Sequence, residues 1–334
     1  MRATNLGDMA QSFQLQQRNG VLKQDIQRLT QELATGQIAD VRQVLNGNYA
    51  YLTDIERTMD VLAGFKLATS EATQLASGMQ EALAQVGTLS DTLSSSLLFA
   101  GTSVSSLDAA TMTDTAKQTL ESMVSVLNTR VAGRSLFAGA ATDRAPMPSA
   151  DDLISALKTA VSGAITPDDI IAAATDWFDD PAGFAAVSYG GAPQSIAPLA
   201  LSDTENLSID VRADNKELRD LLRNAAVSAL ATDPSFGLSL LDQSELFGKN
   251  GANMLGSNEQ LIHLRARVGF AEARIEQVAT RNNAKLTSLE SAKGELLGVD
   301  AYDTATKLES VQFQLQSLYA VTVRMSQLSL VNYL

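Results

Sequence analysis

Apolar residues recur at heptad spacing near both ends of this chain, and no other feature constrains its fold as strongly. Near the start, Leu15, Leu22, Ile26, Leu29 and Leu33 follow at intervals of 7, 4, 3 and 4. Near the finish, Leu308, Val311, Leu315, Leu318 and Met325 follow at 3, 4, 3 and 7, and Val321 and Leu328 widen the stripe. That spacing gathers apolar side chains on one side of a helix, which then needs a second helix laid along it. A segment of roughly twenty residues gives about 30 Å of helix and is marginal by itself in water. From 301 to 334 the only charges are Asp303, Lys307, Glu309 and Arg324, which leaves little solvated face. The two ends are therefore expected to pair with each other and with the same seam of other copies.

Between the ends, Thr53-Asp54-Ile55-Glu56 reads as a capping box opening a helix that carries Leu52, Ile55, Met59 and Leu62 and runs to about Ala100. A third helix, about Leu107 to Val131, aligns Ala116, Leu120, Met123, Leu127 and Val131, and Gly133 closes it. After Gly139 the character changes. Pro146 and Pro148 break the chain, and short acidic helices are expected near 151–162 and 167–176. Strand-like stretches follow at Phe184–Tyr189, Ser195–Leu201 and Leu207–Val211, then a helix over Lys216–Leu230. Asn258 is positioned to cap a long helix in which Leu261, Leu264, Val268, Ala271, Ile275 and Val278 repeat at 3, 4, 3, 4 and 3. The chain pauses at Gly298-Val299-Asp300.

The predicted fold class is mainly α, a long coiled-coil or helical bundle built from both chain ends, with an inserted α+β domain in the middle. Its expected division is a terminal-helix segment at 1–45, bundle helices at 46–139, the inserted domain at 140–254, a bundle helix at 255–298 and a second terminal-helix segment at 299–334.

Composition narrows function by exclusion. The formal net charge is -13, and residues 144 to 250 hold 16 Asp/Glu against 7 Lys/Arg, so a polyanion would be repelled and no nucleic acid is expected. Cysteine is absent, which removes disulfides, thiolate metal sites and cysteine nucleophiles. Met1 to Gly20 holds no basic start followed by an apolar stretch, so no Sec-type leader is expected there, and no apolar run is long enough for membrane insertion. His263 is the sole histidine and lacks a partner for a zinc site or a triad. Asp151-Asp152 and Asp168-Asp169 stand at helix starts, where carboxylates favour the dipole, and neither has the spacing of a calcium loop. Gly190-Gly191 reads as a turn. No residue set suggests a catalyst, a cofactor or a metal.

The order of short motifs resembles the flagellin superfamily. Leu33-Ala34-Thr35-Gly36 is similar to the signature after its first helix, and Gly133-Arg134-Ser135-Leu136-Phe137-Ala138-Gly139 to its Gly-Arg-Tyr-Leu-Phe-Ser/Ala-Gly turn. Arg281-Asn282-Asn283 and Val299-Asp300 sit where comparable residues occur, and the closing Leu328-Ser329-Leu330-Val331-Asn332-Tyr333-Leu334 is similar to the end of the hook–filament junction branch. The resemblance implies a structural subunit of the bacterial flagellum, placed at the hook–filament junction or, alternatively, in the filament as a flagellin. It implies secretion through the flagellar type III route without a Sec signal. The partners it implies are copies of itself, hook-associated protein type 1, flagellin and a flagellar export chaperone.

Overall fold

A computed structural model describes the backbone of residues 3–42, 49–102 and 104–331, and the side chains of these except 3–9, 11 and 326–331. The Asn46-Gly47 turn and the side chains of the closing Leu328–Leu334 motif lie outside that set. The protein is mainly α, with 74% of it helical. It forms two compact units, one of Met1–Leu62 with Asn283–Leu334 and the other of Ala63–Asn282.

In the first unit, α1 (Ala3–Thr35) packs along α9 (Ala301–Val331), and the unit also takes the start of α2 (Ala50–Ala100) and the end of α8 (Leu240–Leu297). Leu22, Leu29, Leu52, Ile55, Leu62 and Leu297 supply its buried apolar surface, and the Lys293 ammonium meets Glu56 at 2.7 Å. The expected capping box at Thr53 is not the start of α2. That helix begins at Ala50, and the Thr53 amide already donates to Tyr49 O at 2.9 Å within the helical ladder.

In the second unit, the rest of α2 packs with α3 (Ser106–Leu127), α7 (Lys216–Ser228) and α8 as far as Asn282. Shorter pieces fill the middle: a hairpin of β1 (Arg130–Val131) and β2 (Arg134–Ser135), then α4 (Ala150–Ala160), α5 (Pro167–Asp179), α6 (Phe184–Val187), β3 (Leu199–Ala200) and β4 (Asn206–Leu207). One continuous core joins Leu83, Met123 and Ile275 of the long helices to Leu153, Phe178 and Leu221 of the middle pieces. The middle segment thus shares its apolar interior with the long helices. Burial of this kind is what holds slender helices together, at about 25 cal/mol per Å² of apolar surface removed from water.

Three local expectations are corrected. Phe184–Tyr189 is not a strand but the short helix α6, because Phe184 turns inward to stack on Phe178 at 4.9 Å between ring centroids, and a short apolar run does not reveal its period. The expected sheet shrinks to an antiparallel pairing of Leu199 with Leu207 and Ala200 with Asn206. Helix α3 stops at Leu127, where the Asn128 side chain reaches the backbone of Met147, donating to its carbonyl at 3.1 Å and accepting its amide at 2.9 Å.

Helix α8 begins far ahead of Asn258. Ser239 and Asp242 cap it reciprocally, the Asp242 amide donating to Ser239 Oγ at 3.2 Å and the Ser239 amide to Asp242 Oδ2 at 3.0 Å. Asn258 lies in mid-helix and donates to Asp91 Oδ1 at 2.5 Å. Gly248 and Gly251 let α8 approach the end of α2 backbone to backbone. A Cβ on Gly101 would sit 2.7 Å from Gly248 Cα, and one on Gly251 would sit 3.0 Å from Leu98 N.

Candidate assembly surface

The terminal helices place their seam residues unevenly. Leu22 and Leu29 are buried, while Leu15, Ile26, Leu308, Val311, Leu315, Leu318 and Met325 are half-buried along the α1–α9 pairing. Leu33 and Val321 are exposed, at 39% and 48%, and the Leu328 side chain lies outside the described residues. A second apolar set faces away from the pairing: Phe13, Val21, Tyr302, Phe313 and Val323 are each at least half exposed. The heptad count picked out the residues that line the pairing, with Leu33 and Val321 as exceptions. It missed the outward stripe, whose signal in sequence was the scarcity of charge along the last helix.

Where the hairpin meets the long helices, the two sets of motif residues are joined by backbone. Gly36 takes a left-handed φ of 68° and ends α1, its amide donating to Glu32 O at 2.8 Å. The chain then runs antiparallel to the α8–α9 connection. The Val299 amide donates to Gly36 O at 3.1 Å, the Ile38 amide to Leu297 O at 2.8 Å, and Gln37 bridges Gly298. The buried Glu32 carboxylate accepts from the Ala39 amide at 3.1 Å and from Arg28 at 3.2 Å, and Arg28 also meets Asp25 at 3.2 Å. Asp300 caps α9, accepting the amides of Tyr302 and Asp303 at 2.8 and 3.0 Å. Backbone amides and carbonyls thus make most of this clasp, with the Arg28 ion pairs beside them.

The other motif residues are equally structural. Ala132 and Gly133 both have positive φ, 49° and 79°, and form the tight turn between β1 and β2. Leu136, Phe137 and Ala138 are wholly buried behind it. Their backbone is knitted on both sides, with the Ala213 amide donating to Phe137 O and the Ala192 amide to Ala138 O, each at 2.9 Å. Tyr189 donates to the carbonyls of Phe137 and Ala192, and burial pushes its hydroxyl pKa above the ordinary phenol value. Asn282, buried, donates to Leu201 O at 2.9 Å, while Arg274 and Arg281 each reach Glu205 Oε1 at 2.9 Å.

Asp152 and Asp169 stand in capping positions under Ser149 and Thr166, and His263 is exposed. Among the described residues no group of three or more His, Cys, Asp or Glu could hold a metal ion, and no helix is long and apolar enough to cross a membrane.

These features define a class: a mainly α protein whose two chain ends form a clasped helical hairpin. Residues 255–334, which run from Leu255 of α8 through α9, match the family model of the bacterial flagellin C-terminal helical region. A solved structure of a Vibrio parahaemolyticus protein, provisionally described as a flagellar hook-associated protein, aligns over 75% of this chain and 99% of its own at 14% identity and a TM-score of 0.46. That likeness is too slight to fix a shared fold. No curated protein matches the chain.

Proposed function

We propose that the chain is a non-enzymatic structural subunit of the bacterial flagellum, and that within it the protein is the hook–filament junction adaptor, joining hook-associated protein type 1 to the flagellin filament. The observation that carries this reading is the clasp between Gly36 and Val299, which ties a terminal hairpin to a C-terminal segment that matches the flagellin model. A hairpin of two slender helices leaves Phe13, Tyr302 and Phe313 wet, and neighbouring copies in a helical tube would cover them. On this reading the heptad residues of the two ends, Leu15 to Leu33 and Leu308 to Leu328, belong to the interface through which subunits assemble. The subunit is exported without a Sec signal by the flagellar type III route, with a dedicated chaperone.

A flagellin forming the filament itself is the second reading, favoured by the fact that the matched family region is that of flagellins. Electron microscopy of a deletion strain separates the two. Intact hooks without filaments, restored by the gene in trans while flagellin is still made and secreted, support the adaptor. Hooks that still carry filaments, or disappearance of the bulk filament protein from both cells and medium, overturn it.

A further inference from the structure

Helix α7 is covered on all sides over its second half, where every residue from Leu221 to Ser228 is buried. The apolar residues Leu221, Leu222, Ala225, Ala226 and Val227 spread around the helix at about 100° per residue. Burial alone therefore does not choose which face of α7 meets α8, or at what level. Asn224 and Ser228, one helical turn apart and 1% and 0% exposed, are able to choose.

Helix α8 carries a matching pair. Its apolar seam, Leu261 to Val278, continues upstream at the same spacing of 4, 3 and 4 through Ser257, Met254 and Asn250, all buried. The polar side chains of the two helices are joined by two bonded paths that run in opposite directions. Asn224 Nδ2 donates to Ser257 Oγ at 3.4 Å, and Ser257 Oγ donates to Asn253 O at 3.0 Å within α8. Asn250 Nδ2 donates to Ser228 Oγ at 3.1 Å, and Ser228 Oγ donates to Asn224 O at 2.8 Å within α7. Each helix gives an amide to the other's hydroxyl, and each hydroxyl is anchored one turn back on its own backbone. Both bonds form together in a single alignment of the helices. Helix α2 adds Ser90, 0% exposed, which the contacts of Gly87 with Leu261 and of Asp91 with Asn258 set level with Ser257.

This layer does not serve stability. Among the described residues no hydrogen-bond partner reaches Asn224 Oδ1, Asn250 Oδ1 or Ser90 Oγ. Buried polar atoms left so cost more than apolar groups of the same shape. A polar layer that costs stability and bonds in only one alignment holds helices with otherwise interchangeable apolar faces to one register.

We propose that Asn224, Ser228, Asn250 and Ser257 form a register key. They select the one rotation and level at which α7 seats on α8, and with α7 the helices α4 and α5 that pack on it. The key acts inside one chain, so it stands or falls independently of the assembly reading.

The chain has no cysteine, so spin labels attach only where a thiol is introduced. Labels on Lys216→Cys and Glu276→Cys, both exposed positions, report the place of α7 along α8 through the distance between them in the full-length protein. The native layer should give one distance. The apolar chain, with Asn224→Leu, Ser228→Ala, Asn250→Leu and Ser257→Ala together, should stay helical and at least as resistant to denaturant. It should also add a second distance, displaced by about 5 Å, one helical turn, in about a tenth of the molecules or more. The exchange Ser228→Asn with Asn250→Ser still sets one amide against one hydroxyl and should keep the single native distance. One unchanged distance in the apolar chain overturns the proposal. Loss of helix or of denaturant resistance in that chain also overturns it, since the four residues would then be a source of stability. A second distance in the exchanged chain does the same, because the bonds would not be what sets the register.

Discussion

The Val299 amide donates to the Gly36 carbonyl at 3.1 Å, so the connection that ends α1 and the one that starts α9 are hydrogen-bonded across 263 positions of sequence. Gly36 can accept this bond because its φ of 68° turns the chain at once out of the helix. Replacing it by valine forces a β-branched residue into the left-handed region and should cost about 1–2 kcal/mol, whereas asparagine should cost under about 1 kcal/mol. Denaturant unfolding measures the loss. Hydrogen exchange at Ile38 and Val299 should accelerate in Gly36→Val, and unchanged protection at both amides would show that the clasp does not depend on this turn.

Leu315 and Phe313 lie two residues apart and face different surroundings, the first half-buried against α1 and the second 70% exposed. Leu315→Asp and Leu318→Asp should therefore destabilise the hairpin by about 1–3 kcal/mol through a partly buried unpaired carboxylate and then abolish incorporation. Phe313→Asp should leave stability within about 0.5 kcal/mol and still impair assembly. Gln316→Asp, on an exposed position, is the mild control. Motility and unfolding measured on the same four chains test this. Equal motility defects in all four would indicate failed export or general helix disruption.

Asp233 accepts from Lys158 at 2.5 Å and from both the amide and hydroxyl of Ser235. Partial burial opposes its ionisation, but the bonds from Lys158 and Ser235 prevail and hold its pKa down at about 2. The unfolded carboxyl has a pKa of about 3.9, so the carboxylate adds its full stability above that pH and loses it as pH falls through about 2. The gain at neutral pH is on the order of 1 kcal/mol once solvent screening is allowed for. Acid unfolding of Asp233→Asn should be displaced from the native curve near pH 5 and converge with it toward pH 2. Parallel curves over that range would dismiss the linkage.

Two glycines of the long-helix contacts should respond with opposite sign. A Cβ on Gly256, within α8, meets nothing within 4 Å, so Gly256→Ala should raise stability by about 0.5–1 kcal/mol. On Gly101 it would press on the Gly248 backbone, and Gly101→Ala should lower stability by about 1–3 kcal/mol. Thermal unfolding of the two variants decides the matter. A stabilising Gly101→Ala would mean that the α2–α8 approach relaxes freely.

Sequence alone determined the helical class and the seams of the long helices, because an apolar stripe at 3.5-residue spacing is a local pattern that any burial must respect. Leu264, Val268, Ile275 and Val278 are all buried where that pattern puts them. Capping chemistry was equally legible where the cap is local, as at Thr166 with Asp169. What sequence left undetermined depends on partners distant along the chain. Gly248 and Gly251 weaken a helix taken by itself, and only the nearness of Gly101 and Leu98 turns them into contact points. Phe184 is drawn into a helix by Phe178, and Asn128 ends α3 because Met147 comes back to meet it. The clasp at Gly36 and Val299 and the outward stripe at Phe13 and Phe313 were likewise settled by tertiary structure. Periodicity tells which residues share a face of a helix, while only the packing of other helices decides which of its faces is covered.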